Sequence, residues 1–289
     1  MSSRDREITL MHAYKIDAVT KAMVLTVLLL GFSTSTHAES VLQVLPTRVL
    51  MSDSIRSSTV TLVNRGDEDG TYRLFFRNLR MDDKGTMEEV TEEDPTSNEK
   101  FADKMLRFSP RRVTVPARSK QTVRIVVRKP PGLEDGEYRS HLVFRKLKDQ
   151  KSVLDKKASE NQIAFSLRAV VEVTIPVIVR QGELSASMSI ASATFDTLAS
   201  GAKNIDFTLE REGSRSIYGN VDLWEISSNG ARRNLGSARG LAVYVPNQKR
   251  SFSIELDKVS KPIATDSSII LEYNEDPNYG GSLKASKAL

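Results

Sequence analysis

Residues 163–179 are nearly all apolar or β-branched, a run that would make a far longer strand than usual at about 3.3 Å rise per residue. Pro176 lies inside the run, and its fixed φ and missing N–H disfavour a helix through that point. A long strand broken near its end by proline predicts a bend between two domains, with new material opening at Gln181-Gly182. Such a segment needs sheets around it, so the remaining sequence must supply strands.

It does so almost everywhere. Residues 41–45 form a short apolar run ended by Pro46, 57–64 alternate around Val60 and Leu62, and 71–79 are aromatic-rich after a turn-forming Asp/Glu/Gly cluster. Residues 81–103 are acidic and poor in apolar side chains, which predicts a long loop with one helical turn. Strands follow at 106–108, 113–115 and 122–127, punctuated by Pro110 and Pro116. Asp135-Gly136-Glu137-Tyr138 opens a further alternating stretch through Phe144. An acid, a glycine and a tyrosine at a strand start resemble the tyrosine corner of immunoglobulin sandwiches, although an ordinary turn before a strand tyrosine reads the same way. The lysine-rich stretch 148–161 is expected to be a mobile hairpin loop. Beyond Glu183, strands at 184–190, 205–209, 221–226, 241–245, 252–256 and 268–273 recur at about 8–12-residue spacing, the pattern of a sandwich or barrel. The last few residues are expected to be disordered.

The start of the chain reads as an address. Lys15 and Lys21 precede an apolar run over 22–32, and Thr36 and Ala38 are small residues suited to a signal-peptidase site before Glu39. The run is shorter than the roughly 20 residues a membrane span needs. A buried N-terminal helix is the competing reading, and translation starts at Met1 or Met11. The expectation is a signal peptide over 1–38, export to the periplasm and no membrane insertion. The chain has no cysteine, which removes disulfides, thiolate metal sites, a cysteine nucleophile and a lipid anchor. With 289 residues it can fill two domains, expected at 39–178 and 179–289. The net charge of +5 is spread among acids without a dense basic run, so a mixed solvated surface is expected, and no nucleic-acid partner.

Chemistry-bearing constellations are missing from the sequence. His12 and His37 fall in the expected signal peptide, which leaves the mature chain one histidine, His141; it lies in mid-strand and reads as a surface or half-buried residue, and one histidine makes no metal cluster, so no metal is expected. There is no Gly-x-Ser-x-Gly elbow and no phosphate-cradling glycine loop. Glu88-Glu89 and Glu92-Glu93 read as loop surface with nothing to raise a carboxyl pKa. The expectation is a non-enzymatic protein with no cofactor.

Taken in order, several stretches resemble the periplasmic pilus (fimbrial) assembly chaperones of the chaperone–usher pathway, in their archaic and alternative branches. Pro46-Thr47-Arg48-Val49 followed by Thr59-Val60-Thr61-Leu62-Val63-Asn64 is similar to the family's first strands. Leu106-Arg107-Phe108-Ser109-Pro110, with Val113, Val115-Pro116 and Gln121-Thr122-Val123-Arg124-Ile125, is similar to its central signature. Ile175-Pro176-Val177-Ile178-Val179-Arg180 resembles the exit of its long seventh strand. The likeness spans about residues 40–275 and implies an all-β fold of two immunoglobulin-like β-sandwich domains set in an L or boomerang shape.

The resemblance also implies a mechanism and a set of residues. A subunit lacking one strand would receive the chaperone's long strand on its open edge, donor-strand complementation by β-augmentation. Ile163, Phe165 and Leu167 share one strand face and would fill the subunit's groove; the alternative is that they face their own core. Arg48 matches the family's arginine that binds the subunit's terminal carboxylate; the alternative is an exposed strand-end arginine. The family's companion lysine is replaced here by Glu172 or Thr174, so either Arg168 takes its role or Arg48 acts alone. Glu137 and Arg180 match two members of an interdomain salt bridge whose third, acidic member has no evident counterpart. Partners would be pilus subunits and an outer-membrane usher, with self-dimerisation through the sticky strand when free. The competing function is a secreted structural or adhesin subunit of a surface fibre, which would be expected to carry an N-terminal alternating extension.

Overall fold

A strand with one apolar side needs a second layer, and two such pairs of layers account for most of the strands observed. The computed structural model describes residues 40–91, 99–147, 170–197, 203–256 and 263–289. In the first half the strands are β1 (Leu42–Leu45), β2 (Val49–Met51), β3 (Ser57–Asn64), β4 (Gly70–Arg77), β5 (Leu79–Met81), β6 (Met87–Glu89), β7 (Leu106–Ser109), β8 (Arg112–Val115), β9 (Lys120–Val127), β10 (Gly136–Lys146) and β11 (Glu172–Gln181). The second half holds β12 (Ala186–Thr197), β13 (Lys203–Gly213), β14 (Ile217–Ile226), β15 (Arg232–Val243), β16 (Lys249–Leu256), β17 (Ser268–Glu275) and β18 (Lys284–Ala288).

The chain is all-β, with two immunoglobulin-like sandwiches. One pairs the sheet β1-β3-β9-β7 with the sheet β2-β11-β10-β4-β8; the other pairs β12-β13-β16 with β15-β14-β17-β18. Alternation sets what each core contains. Val60 and Leu62 of β3 and Val123 and Ile125 of β9 meet Tyr72, Leu142, Phe144 and Val177 from the facing sheet. In the second sandwich Ile205, Phe207 and Leu209 meet Val221, Leu223, Leu271 and Tyr273.

Several expectations need correction. The strand does not break at Pro176, which lies opposite His141 on β10; parallel pairing to β2 begins only at Val177, so the missing N–H falls short of that ladder. The chain turns instead at Gly182, whose φ of +71° suits glycine. The expected loop over 81–103 contains half of a hairpin, since Met81↔Met87 and Leu79↔Glu89 are paired, and it runs into a 3-10 turn at Asp103–Met105. Glu89 is therefore a strand residue bound to Arg77 at 3.2 Å. The C-terminal residues are ordered as β18, added antiparallel to β17; its two lysines, Lys284 and Lys287, suit an edge strand. The leader 1–38, Glu92-Glu93, the loop 148–161 and the front of the long strand, with Ile163, Phe165, Leu167 and Arg168, lie outside the described residues.

Candidate functional site

The first nine residues of β10 are buried, on both faces. Tyr138, Leu142 and Phe144 point into the first core, so alternation sends Glu137, Arg139, His141 and Val143 to the other side of the sheet. The antiparallel register sets Arg180 beside Glu137, Ile178 beside Arg139 and Pro176 beside His141. On the far side of β11, β2 places Leu50 opposite Ile178, with Arg48 two residues earlier. The second sandwich packs on this face: Ala242 and Tyr244 join Met81 and Ile178 in a separate apolar cluster, with Leu50 and Tyr218 against it.

Arg48 is 5% exposed and surrounded by tyrosines from the second sandwich. Its guanidinium carbon is 3.7 Å from the Tyr218 ring centroid, 5.1 Å from that of Tyr244 and 5.5 Å from that of Tyr279. Its Nη2 donates to the Tyr244 hydroxyl at 2.6 Å, while its Nε has no partner. Tyr218 and Tyr279 meet edge to face at 4.9 Å, which fixes two walls of the cage. Arg139 lies over Tyr244 at 4.0 Å and donates to the carbonyls of Leu79 at 3.2 Å and Val245 at 3.4 Å; its Nε is also without a partner. Burial pulls the Arg139 pKa down, against the opposing pull of Tyr244, Glu137 and Glu99.

His141 is 2% exposed, which corrects the expectation of a surface or half-buried residue. The second sandwich's packing on this sheet is invisible to a reading of β10 alone. Burial, then Arg139, then Arg48, lowers its pKa to about 3, so it is neutral at physiological pH. Neither ring nitrogen has a hydrogen-bond partner.

Beside these cations Glu137 and Arg180 meet. Arg180 Nε donates to Glu137 Oε2 at 3.0 Å, and the carboxylate also accepts from the Ser216 backbone N–H at 3.2 Å and from the Ser216 hydroxyl. Arg180 continues to the carbonyl of Tyr279 at 3.1 Å. Next to Ser216, Arg215 and Glu275 form a bidentate buried pair at 2.5 and 3.2 Å. A cavity of about 210 Å³ opens alongside, with Gly136, Glu137, Arg139, Ser214 and Val245 among its lining residues.

The structure thus brings Arg48, Glu137 and Arg180 to one face. Glu172 is occupied elsewhere, bridging Arg77 at 3.0 Å and Arg145, and Thr174 is exposed. Although burial pushes the Glu172 carboxyl up, the bonds from Arg145 and Arg77 hold it below its usual value. Sequence reasoning missed Arg139, the burial of His141, the three tyrosines and Ser216. Arg139 was within reach, because it is two residues from Glu137 on one strand and so shares its face. The others come from the partner sandwich and leave no local signal.

No family model and no curated protein matches the chain. Among solved structures it is similar to the CsuC–CsuE chaperone–tip adhesion subunit pre-assembly complex from archaic chaperone–usher Csu pili of Acinetobacter baumannii, at 13% identity over 85% of this chain and 98% of that one, TM-score 0.45. It is similar to the Pseudomonas aeruginosa CupB2 chaperone at 15% identity, covering 85% and 98% of the two chains, TM-score 0.41. The class 5 fimbriae chaperone CfaA gives 13% identity, 86% and 98% coverage and a TM-score of 0.41.

Proposed function

We propose that this chain is an exported, non-enzymatic chaperone of the periplasm that holds an unfinished fibre subunit by lending it a strand and passes it to an outer-membrane usher. The observation that supports this best is Arg48: a cation enclosed where the two sandwiches meet, stacked on tyrosines and carrying an unpartnered Nε. A guanidinium presents a rigid fork to two oxygens, which suits capture of a subunit's terminal carboxylate. Upstream of Glu172, residues 163–167 would be the donor, with Ile163, Phe165 and Leu167 as groove-filling side chains. Each buried apolar side chain contributes about 1.5–3 kcal/mol, against about 1 kcal/mol net for each backbone hydrogen bond. The three plugs would therefore carry most of the discrimination.

Co-expression with an aggregation-prone subunit encoded nearby tests the reading. A one-to-one complex is expected, with the chain absent from purified fibres; its incorporation into fibres would favour a structural or adhesin subunit instead. Replacing Ile163, Phe165 and Leu167 with Ser is expected to abolish the complex and leave the chain folded. Survival of the complex would remove the donor assignment.

A further inference from the structure

We infer that Arg139 of β10 is the second cation of the carboxylate site, serving in place of the lysine that β11 lacks. This inference rests on the reading of Arg48 given above. Register and chemistry both lead to it. Arg139 and Arg48 converge on one side chain: Arg139 lies over the Tyr244 ring at 4.0 Å, and Arg48 donates to the Tyr244 hydroxyl at 2.6 Å. Both guanidiniums are 5% exposed, both keep an unpartnered Nε, and no carboxylate among the described residues forms an ion pair with either. The nearby acids are committed elsewhere, Glu137 to Arg180 and Glu99 to Arg80. His141, on the same face of β10, adds two ring nitrogens without partners.

Buried charges are ordinarily paired, because an uncompensated one is costly to remove from water. Two neighbouring guanidiniums without a counter-charge, beside a neutral imidazole, make a site that a single carboxylate would satisfy. One oxygen can take Arg48 and the other Arg139, in place of the Tyr244 hydroxyl, an arrangement Glu172 and Thr174 cannot supply. Arg139 also lines the 210 Å³ cavity beside this face.

The test uses the full chain and an alternating heptapeptide, N-acetyl-Thr-Val-Thr-Val-Thr-Val-Tyr, as the free acid and as the C-terminal amide. The readout is the ratio of the two dissociation constants, which a purely structural role would not move. The wild type is expected to prefer the acid by about tenfold or more, as for a charge-assisted hydrogen bond. Arg139→Gln should bring that preference below about twofold, as should Arg48→Gln. Arg139→Met, which replaces a buried unpaired charge with an apolar chain of similar length, should do the same while melting no lower than wild type. If Arg139→Met and Arg139→Gln retain the wild-type ratio while Arg48→Gln loses it, Arg139 is not the second cation and the reading of Arg48 stands. If the wild type shows no preference for the acid, the carboxylate site falls as a whole. If the Arg139 variants fail to fold, His141 of the wild type decides: its ring signals should move with the acid and stay put with the amide, and the absence of movement with the acid overturns the assignment.

Discussion

Glu137 and Arg180 are direct cross-strand partners on β10 and β11, and their 3.0 Å ion pair is also the point where the second sandwich is tied on, through Ser216. The Glu137 side chain is fully buried, so loss of either partner leaves a charge without compensation. Glu137→Ala is expected to destabilise the chain by about 3–5 kcal/mol. The double change Glu137→Leu, Arg180→Met should cost distinctly less than the sum of the single changes, since apolar pairs of similar volume replace buried ion pairs well. Urea unfolding of the four proteins measures this; strict additivity would mean that the pair is not coupled.

Tyr138 supplies a smaller and more local test. Its hydroxyl donates to the Glu134 carbonyl at 2.9 Å, four residues back, where the chain bends into β10. This is the tyrosine-corner arrangement, and it separates the two readings that the sequence left open. Tyr138→Phe should lower stability by about 1 kcal/mol, the net worth of one hydrogen bond. Tyr138→Leu should cost more, because it also removes packing from the first core. Equal effects of the two changes, measured as urea midpoints, would take the hydroxyl out of the account.

These two examples mark what was legible in the sequence. A period of two on 57–64 and 122–127 gives the strands and their inward faces, since Val60, Leu62, Val123 and Ile125 are all fully buried. Glu137 and Arg180 came from the family resemblance, and they face each other near one end of the β10–β11 ladder. The cage around Arg48 was not legible: Tyr218, Tyr244 and Tyr279 lie far along the chain, and nothing near Arg48 signals them. His141 was misread for the same reason, because a polar residue on an outward strand face reads as solvated until a second sandwich covers it. The tail was misread for another: Lys284–Ala288 is too polar to look like a strand, and only pairing to β17 makes it one.

Tyr218 tests the cage directly. The Arg48 guanidinium is 3.7 Å from the centre of its ring, so the attraction is to the π face and not to the hydroxyl. Tyr218→Phe should therefore be nearly neutral for stability, whereas Tyr218→Leu should cost about 2 kcal/mol, the upper range for a desolvated cation–π contact. Thermal melts of both variants distinguish these outcomes; a Phe variant as weak as the Leu variant would shift the weight to the hydroxyl.

His141 makes stability depend on pH in a defined direction. The unfolded chain protonates this imidazole near its ordinary pKa of 6.5, while the folded chain resists until about pH 3, because burial, Arg139 and Arg48 all oppose the charge. Arg77, its register partner on β4, is a further cation on that side. Since the folded pKa is depressed, its contribution is complete above pH 6.5 and is lost as pH falls towards 3, by up to about 1.4 kcal/mol per pH unit. Carboxylates with lowered pKa values, such as Glu172 and Glu225, begin to contribute only below their ordinary value of 4.5, so the interval from pH 6.5 to 5 isolates the histidine. Across that interval the wild type should lose about 1.6 kcal/mol in urea unfolding, and His141→Leu should lose less than about 0.5 kcal/mol. A Leu variant with the wild-type slope would place the titrating group elsewhere.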